Sequence, residues 1–295
     1  VKRKRSNRSF DKMIILDINQ VMLSNLMVQM GSHTNMKIEE DLVRHMILNS
    51  IRMYNNRFRE EFGEMIVACD NKRYWRREIF PYYKANRKKM RDATDLDWNA
   101  IFDCMKKIRE ELIEYFPYRV INVDGAEADD VIGALVEKYG NDMTQPILIL
   151  SGDKDFIQLQ KYLNVKQYDP IRKKFITHNN PSLYTKEHII KGDSGDGVPN
   201  FLSPDNCLVV GSRQKPITTK KLDAWLQMNP EDMGEELYRN YKRNQQLIDL
   251  SFIPEPIKQN VINEYEAQNG KTRSKLFNYF VAHKLKNLME NINEF

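Results

Sequence analysis

The sequence predicts an α/β fold, a mostly parallel central sheet flanked by helices, with a smaller helical domain behind it. Three observations carry that prediction. Short apolar, β-branched runs alternate with helix-period segments up to about residue 180. Beyond HNNPS the alternation stops and helical segments dominate. The apolar runs also end repeatedly in carboxylates, and in an open parallel sheet ligands bind outside the carboxyl ends of the strands. We place one domain over 1–180 and a helical C-terminal domain over 181–295.

Taken in order, IILDI predicts the first strand. From about Ile38 to Phe62, Leu42, Met46, Ile47, Ile51 and Tyr54 recur at helical spacing, and MIVACD is a second strand. Between Trp98 and Tyr115, Ile101, Phe102, Met105, Ile108 and Leu112 form an amphipathic stripe. RVINVD is a short strand, AEADDVIGALVEKYG a helix stopped near Gly140, and PILIL a buried strand that turns into a helix through FIQLQ. VKQYDP and KKFIT pair as a hairpin about Asp169 and Pro170. Five further helices are expected: Thr185 to Lys191, Thr218 to Met228, Leu237 to Leu250, Pro256 to Glu266, and Ser274 to the end.

The chain of 295 residues, 41% hydrophobic and 29% charged, fits a soluble globular protein. No apolar run approaches a membrane span and the N-terminus lacks a signal-like apolar stretch. Three scattered cysteines, Cys69, Cys104 and Cys207, form no CxxC pair. We expect a reducing, cytoplasmic setting (the host cytoplasm for a phage-encoded chain) and no membrane partner. The net charge of +5 hides an asymmetry. Residues 1–8 carry +5 and residues 72–91 carry +8, which leaves the remainder at −8. An acidic body with two concentrated basic segments implies a polyanion gripped in particular places.

The acids are Asp17 after IIL, Asp70 after MIVAC, Glu127 and Asp129 in EADD, Asp153 and Asp155 in SGDKD, and Asp193 and Asp196 in GDSGD. On an extended segment Asp153 and Asp155, two apart, face the same way. Glu127 and Asp129 open a helix, and Asp193 and Asp196 share a Gly-rich turn. Each acid alone is equally well read as a cap or turn former; their shared location argues for a cation among them. Asp130 is the expected bystander. The five histidines show no metal-ligand spacing and are read as surface or packing residues. An all-oxygen set favours magnesium over zinc, with manganese as a substitute. Many carboxylates without a Walker-type phosphate loop match two-metal phosphodiester hydrolysis.

The segment from Lys72 to Arg91 interleaves cations with Tyr74, Trp75, Phe80, Tyr82 and Tyr83. Cations neutralise phosphates and aromatics stack on bases. It follows directly on Asp70, which gives it a substrate-facing position beside the acids.

ILDIN, VACDN, YWRRE…YYKANR, EADD, SGDKDF and KGDSGD occur in the order found in the 5′-nuclease superfamily of flap endonucleases, whose core is PIN-like. Over nearly the whole chain the sequence resembles that superfamily's branch of ribonucleases H from T-even bacteriophages. The resemblance implies a metal-dependent nuclease acting from the 5′ end on RNA–DNA and DNA–DNA duplexes and at flap junctions, removing RNA primers in replication. It implies a first magnesium site at Asp17, Asp70, Asp129 and Asp153, with Glu127 between sites. Asp155, Asp193 and Asp196 would serve a second ion. Lys84, with Tyr83, would act on the scissile phosphate, and Arg87, Arg76 and Arg77 would contact nucleic acid. Residues 72–98 would form an arch or bridge over the site. A monomer is expected, with nicked or branched DNA, RNA–DNA duplex and a single-stranded-DNA-binding protein as partners.

Cellular members follow the second-site acids with a GVxGIG-type hairpin; here GVPNFLSPDNCLVVGSRQ stands instead, before KPITTKKL. Lys215 and Lys220 are the expected backbone contacts there. The alternatives weighed are a PIN-like single-strand ribonuclease, against which the long C-terminal region argues, and a non-catalytic nucleic-acid-binding protein, which predicts missing acids where none is missing.

Overall fold

The computed structural model describes residues 12–31 and 38–295. The basic N-terminal segment and His33 lie outside the described residues. Strands β1 (Met13–Asp17), β2 (Glu64–Ala68), β3 (Arg119–Ile121), β4 (Ile147–Leu150), β5 (Val165–Asp169) and β6 (Lys174–Ile176) form one sheet in the order β3-β2-β1-β4-β5-β6. All neighbours are parallel except β5 and β6, the expected hairpin.

Helices follow in chain order: α1 (Ile18–Met30), α2 (Glu40–Phe62), α3 (Trp75–Ile79), α4 (Asn86–Asp92), α5 (Trp98–Tyr115), α6 (Ala128–Tyr139), α7 (Pro181–Lys191), α8 (Thr219–Gln227), α9 (Glu235–Ile248), α10 (Glu255–Ala267), α11 (Leu276–Ala282) and α12 (Lys286–Met289). Helix α1 has no counterpart in the periodicity reading, because INQVMLSNLMVQM is apolar on most of its faces. It buries Ile18, Val21, Met22, Leu26 and Met30. The segment through FIQLQ is a 3-10 helix, Lys154–Lys161. The stripe of α2 runs through Val43, Ile47, Ile51 and Tyr54 and leaves Leu42 exposed, and on α5 Phe102 is exposed.

The strands are buried on both faces, as in a sheet covered by helices on each side. Ile14, Leu16, Val67 and Leu148 face a core shared with α1, α2, α5 and the closing helices, where Phe280, Leu288 and Phe295 pack. Met13, Ile15, Ile66 and Ile149 face the opposite core, with α6 and α10. The region after residue 180 thus packs on both faces of the sheet. A third core joins Phe80 and Tyr83 of the basic segment to Ile190, Phe201, Leu222 and Ile248. That core fixes the base of the arch: residues 72–98 fold as two short helices with their turns. No described helix is long and apolar enough to cross a membrane.

Candidate active site

The register sets the site. Asp17 ends β1 level with Ala68 of β2, and Leu16 is level with Leu150 of β4. Asp70 and Asp153 therefore emerge just beyond the same sheet edge as Asp17. The connections leave β1 and β4 in opposite directions along the sheet, which opens a crevice between those strands. Several of the acids also cap helices. Asp17 accepts from Gln20 N at the start of α1, Asp153 accepts from Asp155 N, and Glu127 begins α6. Capping and site formation coincide here, since a strand end that faces a ligand is also a helix start.

The acids divide by whether protein cations reach them. Glu127, buried, pairs with Arg76 at 2.9 Å and with Lys84, and Tyr83 Oη lies 3.0 Å away. Asp196 pairs with Arg87, lies 3.6 Å from Lys84 Nζ, and accepts from Tyr83 Oη at 2.9 Å. Burial works against the charge on Lys84, but Asp196 and Glu127 outweigh it and hold the ammonium above its ordinary value. Burial pushes the Tyr83 phenol well up, so it stays a neutral donor.

Among the described residues no Lys or Arg pairs with the remaining acids. Burial, then Asp70 and Asp153, push Asp17 from 3.8 to about 7, although Ser151 Oγ donates to it at 3.1 Å. Burial, then Asp153, raise Asp129 well above its ordinary value. Asp153 rises by burial against the N–H from Asp155, with Asp196 and Asp193 adding to it, and its outer face stays open to solvent. Burial, then Asp153, push Asp155 to about 8. Asp70 accepts from Asn19 Nδ2 and from Ala128 N at 2.7 Å, which ties β2 to α1 and α6. Carboxylates confronting one another in this way form a donor set that suits a hard cation.

Several residues stand elsewhere than the sequence suggested. Arg76, expected on nucleic acid, is 2% exposed and pairs with Asp130 at 2.8 Å, with Glu127 and with the Leu247 carbonyl. It cannot reach a phosphate, because the five-residue helix α3 packs it inward. Asp130 completes the capping box at α6 and sits in the same network. Arg77 and Arg87 are exposed, as are Lys215 and Lys220 before and within the first turn of α8. Asp193 and Asp196 part company: Asp196 joins the arch, and Asp193 turns toward Asp155.

His188, read from sequence as a surface or packing residue, lies between those two acids. Its Nδ1 is 3.1 Å from Asp155 Oδ1 and its Nε2 is 3.6 Å from Asp193 Oδ2. Among the described residues, only Asp155, His188 and Asp193 bring three potential ligand atoms within 4.8 Å of one another. They line a cleft of about 620 Å³ that also exposes Asp153 and Gln20. The usable signal was EHIIKGD, a histidine one turn before a helix-ending glycine and an acid.

The arch is pinned to the second acid pair through its backbone. Lys84, at φ 55, donates its N–H to the Asp196 carbonyl at 2.7 Å. Gly197, at φ +76, allows this approach, since a Cβ there would meet the Tyr82 carbonyl oxygen at 2.7 Å.

A sheet crevice lined by uncompensated acids under a cationic arch defines a nuclease. The chain belongs to the 5′–3′ exonuclease family: the family model for the 5′–3′ exonuclease N-terminal, resolvase-like domain matches residues 12–191, and one for the T4 RNase H C-terminal region matches residues 180–295. It is 36% identical over 293 residues to the ribonuclease H of Enterobacteria phage T4, covering 95% of each chain. It is 31% identical over 166 residues to a 5′–3′ exonuclease of Buchnera aphidicola, covering 52% of this chain and 54% of that one. Among solved structures it resembles the flap endonuclease of bacteriophage T5 in complex with DNA and metal ions, with a TM-score of 0.59 and 16% identity over 87% of this chain and 98% of that one. At that identity the likeness concerns the fold.

Proposed function

We propose that this protein is a magnesium-dependent 5′-to-3′ nuclease that hydrolyses RNA–DNA and DNA–DNA duplexes and flap junctions and removes RNA primers during replication. The observation that carries the reading is the split of the acids. Among the described residues no Lys, Arg or His pairs with Asp17, Asp129 or Asp153, while Lys84 and Arg87 sit on Glu127 and Asp196. A single-strand-binding role without catalysis would not call for uncompensated acids beneath a cationic arch.

Asp17, Asp70, Asp129 and Asp153 fit a hard cation by donor chemistry, and Asp155 fits by a solvent-sealed oxygen that has no hydrogen-bond partner among the described residues. Two divalent ions bound there, magnesium or manganese, would supply an activated water and charge neutralisation at the leaving oxygen. The chain's own residues do the rest. Lys84, once drawn from Glu127 by an incoming phosphate, orients that phosphate and meets its developing charge. Tyr83 keeps its hydroxyl between Glu127 and Asp196 and so holds the Lys84 backbone over the cleft. Arg77 and Arg87, both exposed, hold flanking phosphates, and Lys215 and Lys220 extend that track.

The test uses 5′-labelled nicked, flapped and RNA-primed duplexes with magnesium and then with excess chelator. Short 5′ products that depend on the metal are expected from all three. Product release that survives the chelator, or activity confined to single strands, overturns the proposal.

A further inference from the structure

The sequence gives the acidic cleft an all-oxygen character; the fold places a nitrogen in it. Helix α7 ends at Lys191, and Gly192, at φ 68, reverses the chain. A bridge between Asp193 and Val198 then folds Asp193 back beside the last helical turn, against His188. The 3-10 helix supplies Asp155 from the other side.

The contact between His188 Nδ1 and Asp155 Oδ1 has the length of a hydrogen bond but not its alignment. Asp155 Oδ1 is sealed from solvent and has no hydrogen-bond partner among the described residues. A buried acceptor left this way is destabilising. The separation of 3.1 Å is instead that of adjacent ligands on one ion: with ligands at about 2.1 Å, an octahedron has edges of about 3 Å. The other ring nitrogen faces Asp193, and a histidine that ligates a metal characteristically donates its second ring N–H to a carboxylate.

We infer that His188 is a nitrogen ligand, through Nδ1, of a divalent ion shared with Asp155, with Asp193 orienting the ring. The second metal site is then of mixed nitrogen and oxygen character. The all-oxygen first site keeps its preference for Mg²⁺; the second still admits Mg²⁺ or Mn²⁺ but binds transition-series dications such as Fe²⁺ or Co²⁺ more tightly, because imidazole suits those ions and Mg²⁺ holds to oxygen. This deepens the metal-dependent reading of the cleft and rests on it.

Metal-free protein without substrate provides the test. With Mn²⁺ as a spin probe, pulsed electron paramagnetic resonance should show nitrogen-14 modulation from one imidazole, which His188→Gln and His188→Asn abolish. Calorimetric titration should show that His188→Gln weakens Co²⁺ binding at one site by at least about 10-fold while changing Mg²⁺ binding by less than about 3-fold. Thermal melts establish that the variants fold, and the asparagine variant serves if the glutamine one does not. Absence of nitrogen modulation in the unmutated protein, or unchanged Co²⁺ affinity in both variants, overturns the inference. An equal fall for Co²⁺ and Mg²⁺ without nitrogen modulation also overturns it, and reduces His188 to a positioning residue for Asp155. Because no substrate is present, the outcome is independent of cleavage. Imidazole coupling in a protein that cuts nothing would remove the nuclease proposal and leave this one standing.

Discussion

Without metal, the folded protein should lose stability as pH rises through the neutral range. The reason lies in Asp17, whose carboxyl is pushed from 3.8 to about 7 by burial, then by Asp70 and Asp153. Between those two values the unfolded chain has released the proton while the folded protein keeps it, so raising the pH favours unfolding. Each pH unit inside the window is worth about 1.4 kcal/mol per group, so a step from about pH 5.5 to about pH 7 costs about 2 kcal/mol through Asp17 alone. At about 2.1 cal/mol/K per residue of unfolding entropy, that lowers the melting temperature of a 295-residue chain by about 3 °C. Asp155, Asp129 and Asp153 are raised as well and act in the same direction. His188, raised by its carboxylate neighbours against burial, contributes stability that is full at low pH and lost as pH climbs through its folded value, which again has the same sign. The assay is differential scanning calorimetry in chelator at the two pH values, repeated with Mg²⁺ and with Asp17→Asn. We expect a fall of 3 °C or more in chelator, a flatter profile with metal, and a higher melting temperature for the variant at neutral pH. A metal-free melting temperature that is level or climbs over this interval would refute the picture of carboxylates confronting one another.

Three further outcomes follow from particular contacts. Lys84→Ala should slow cleavage by about 10²–10³-fold while weakening flap-DNA binding far less, and equal losses in single-turnover rate and binding would make Lys84 a mere tether. Arg76→Met should cost about 3–5 kcal/mol in urea unfolding, because it leaves Glu127 and Asp130 buried without their shared cation; a change below about 1 kcal/mol would show that the network is not structural. Gly197→Ala sets a left-handed backbone against a Cβ 2.7 Å from the Tyr82 carbonyl, costing about 1–3 kcal/mol. Displacing Lys84 in this way should lower the cleavage rate more than DNA affinity, and a variant with unchanged melting and rate would show that the arch does not depend on this junction.

The parts of the fold that the sequence disclosed are those where one local pattern determines the outcome. Met13–Asp17 and Ile147–Leu150 are continuous apolar runs because both sheet faces are covered, and their acids stand at the edge because a parallel sheet aligns its carboxyl ends. What escaped depends on partners distant in sequence. Arg76 counts as a free positive charge in any composition window, yet it is internal, neutralised by Glu127 and Asp130 from a helix about fifty residues later. The basic excess of residues 72–91 therefore overstates what faces a substrate by the charge of Arg76, while Arg77 and Arg87 stay exposed and Lys84 is held inward on Glu127. His188 escaped for the opposite reason. Its helical position looks like packing, and only the reversal at Gly192 brings Asp193 back against it, while Asp155 arrives from another strand end. The two departures share a cause. Periodicity reports which face of an element is buried, but not which charges the buried faces of other elements carry to meet it. In this cleft that meeting decides which carboxylates are satisfied by the protein, Glu127 and Asp196, and which are left for a metal.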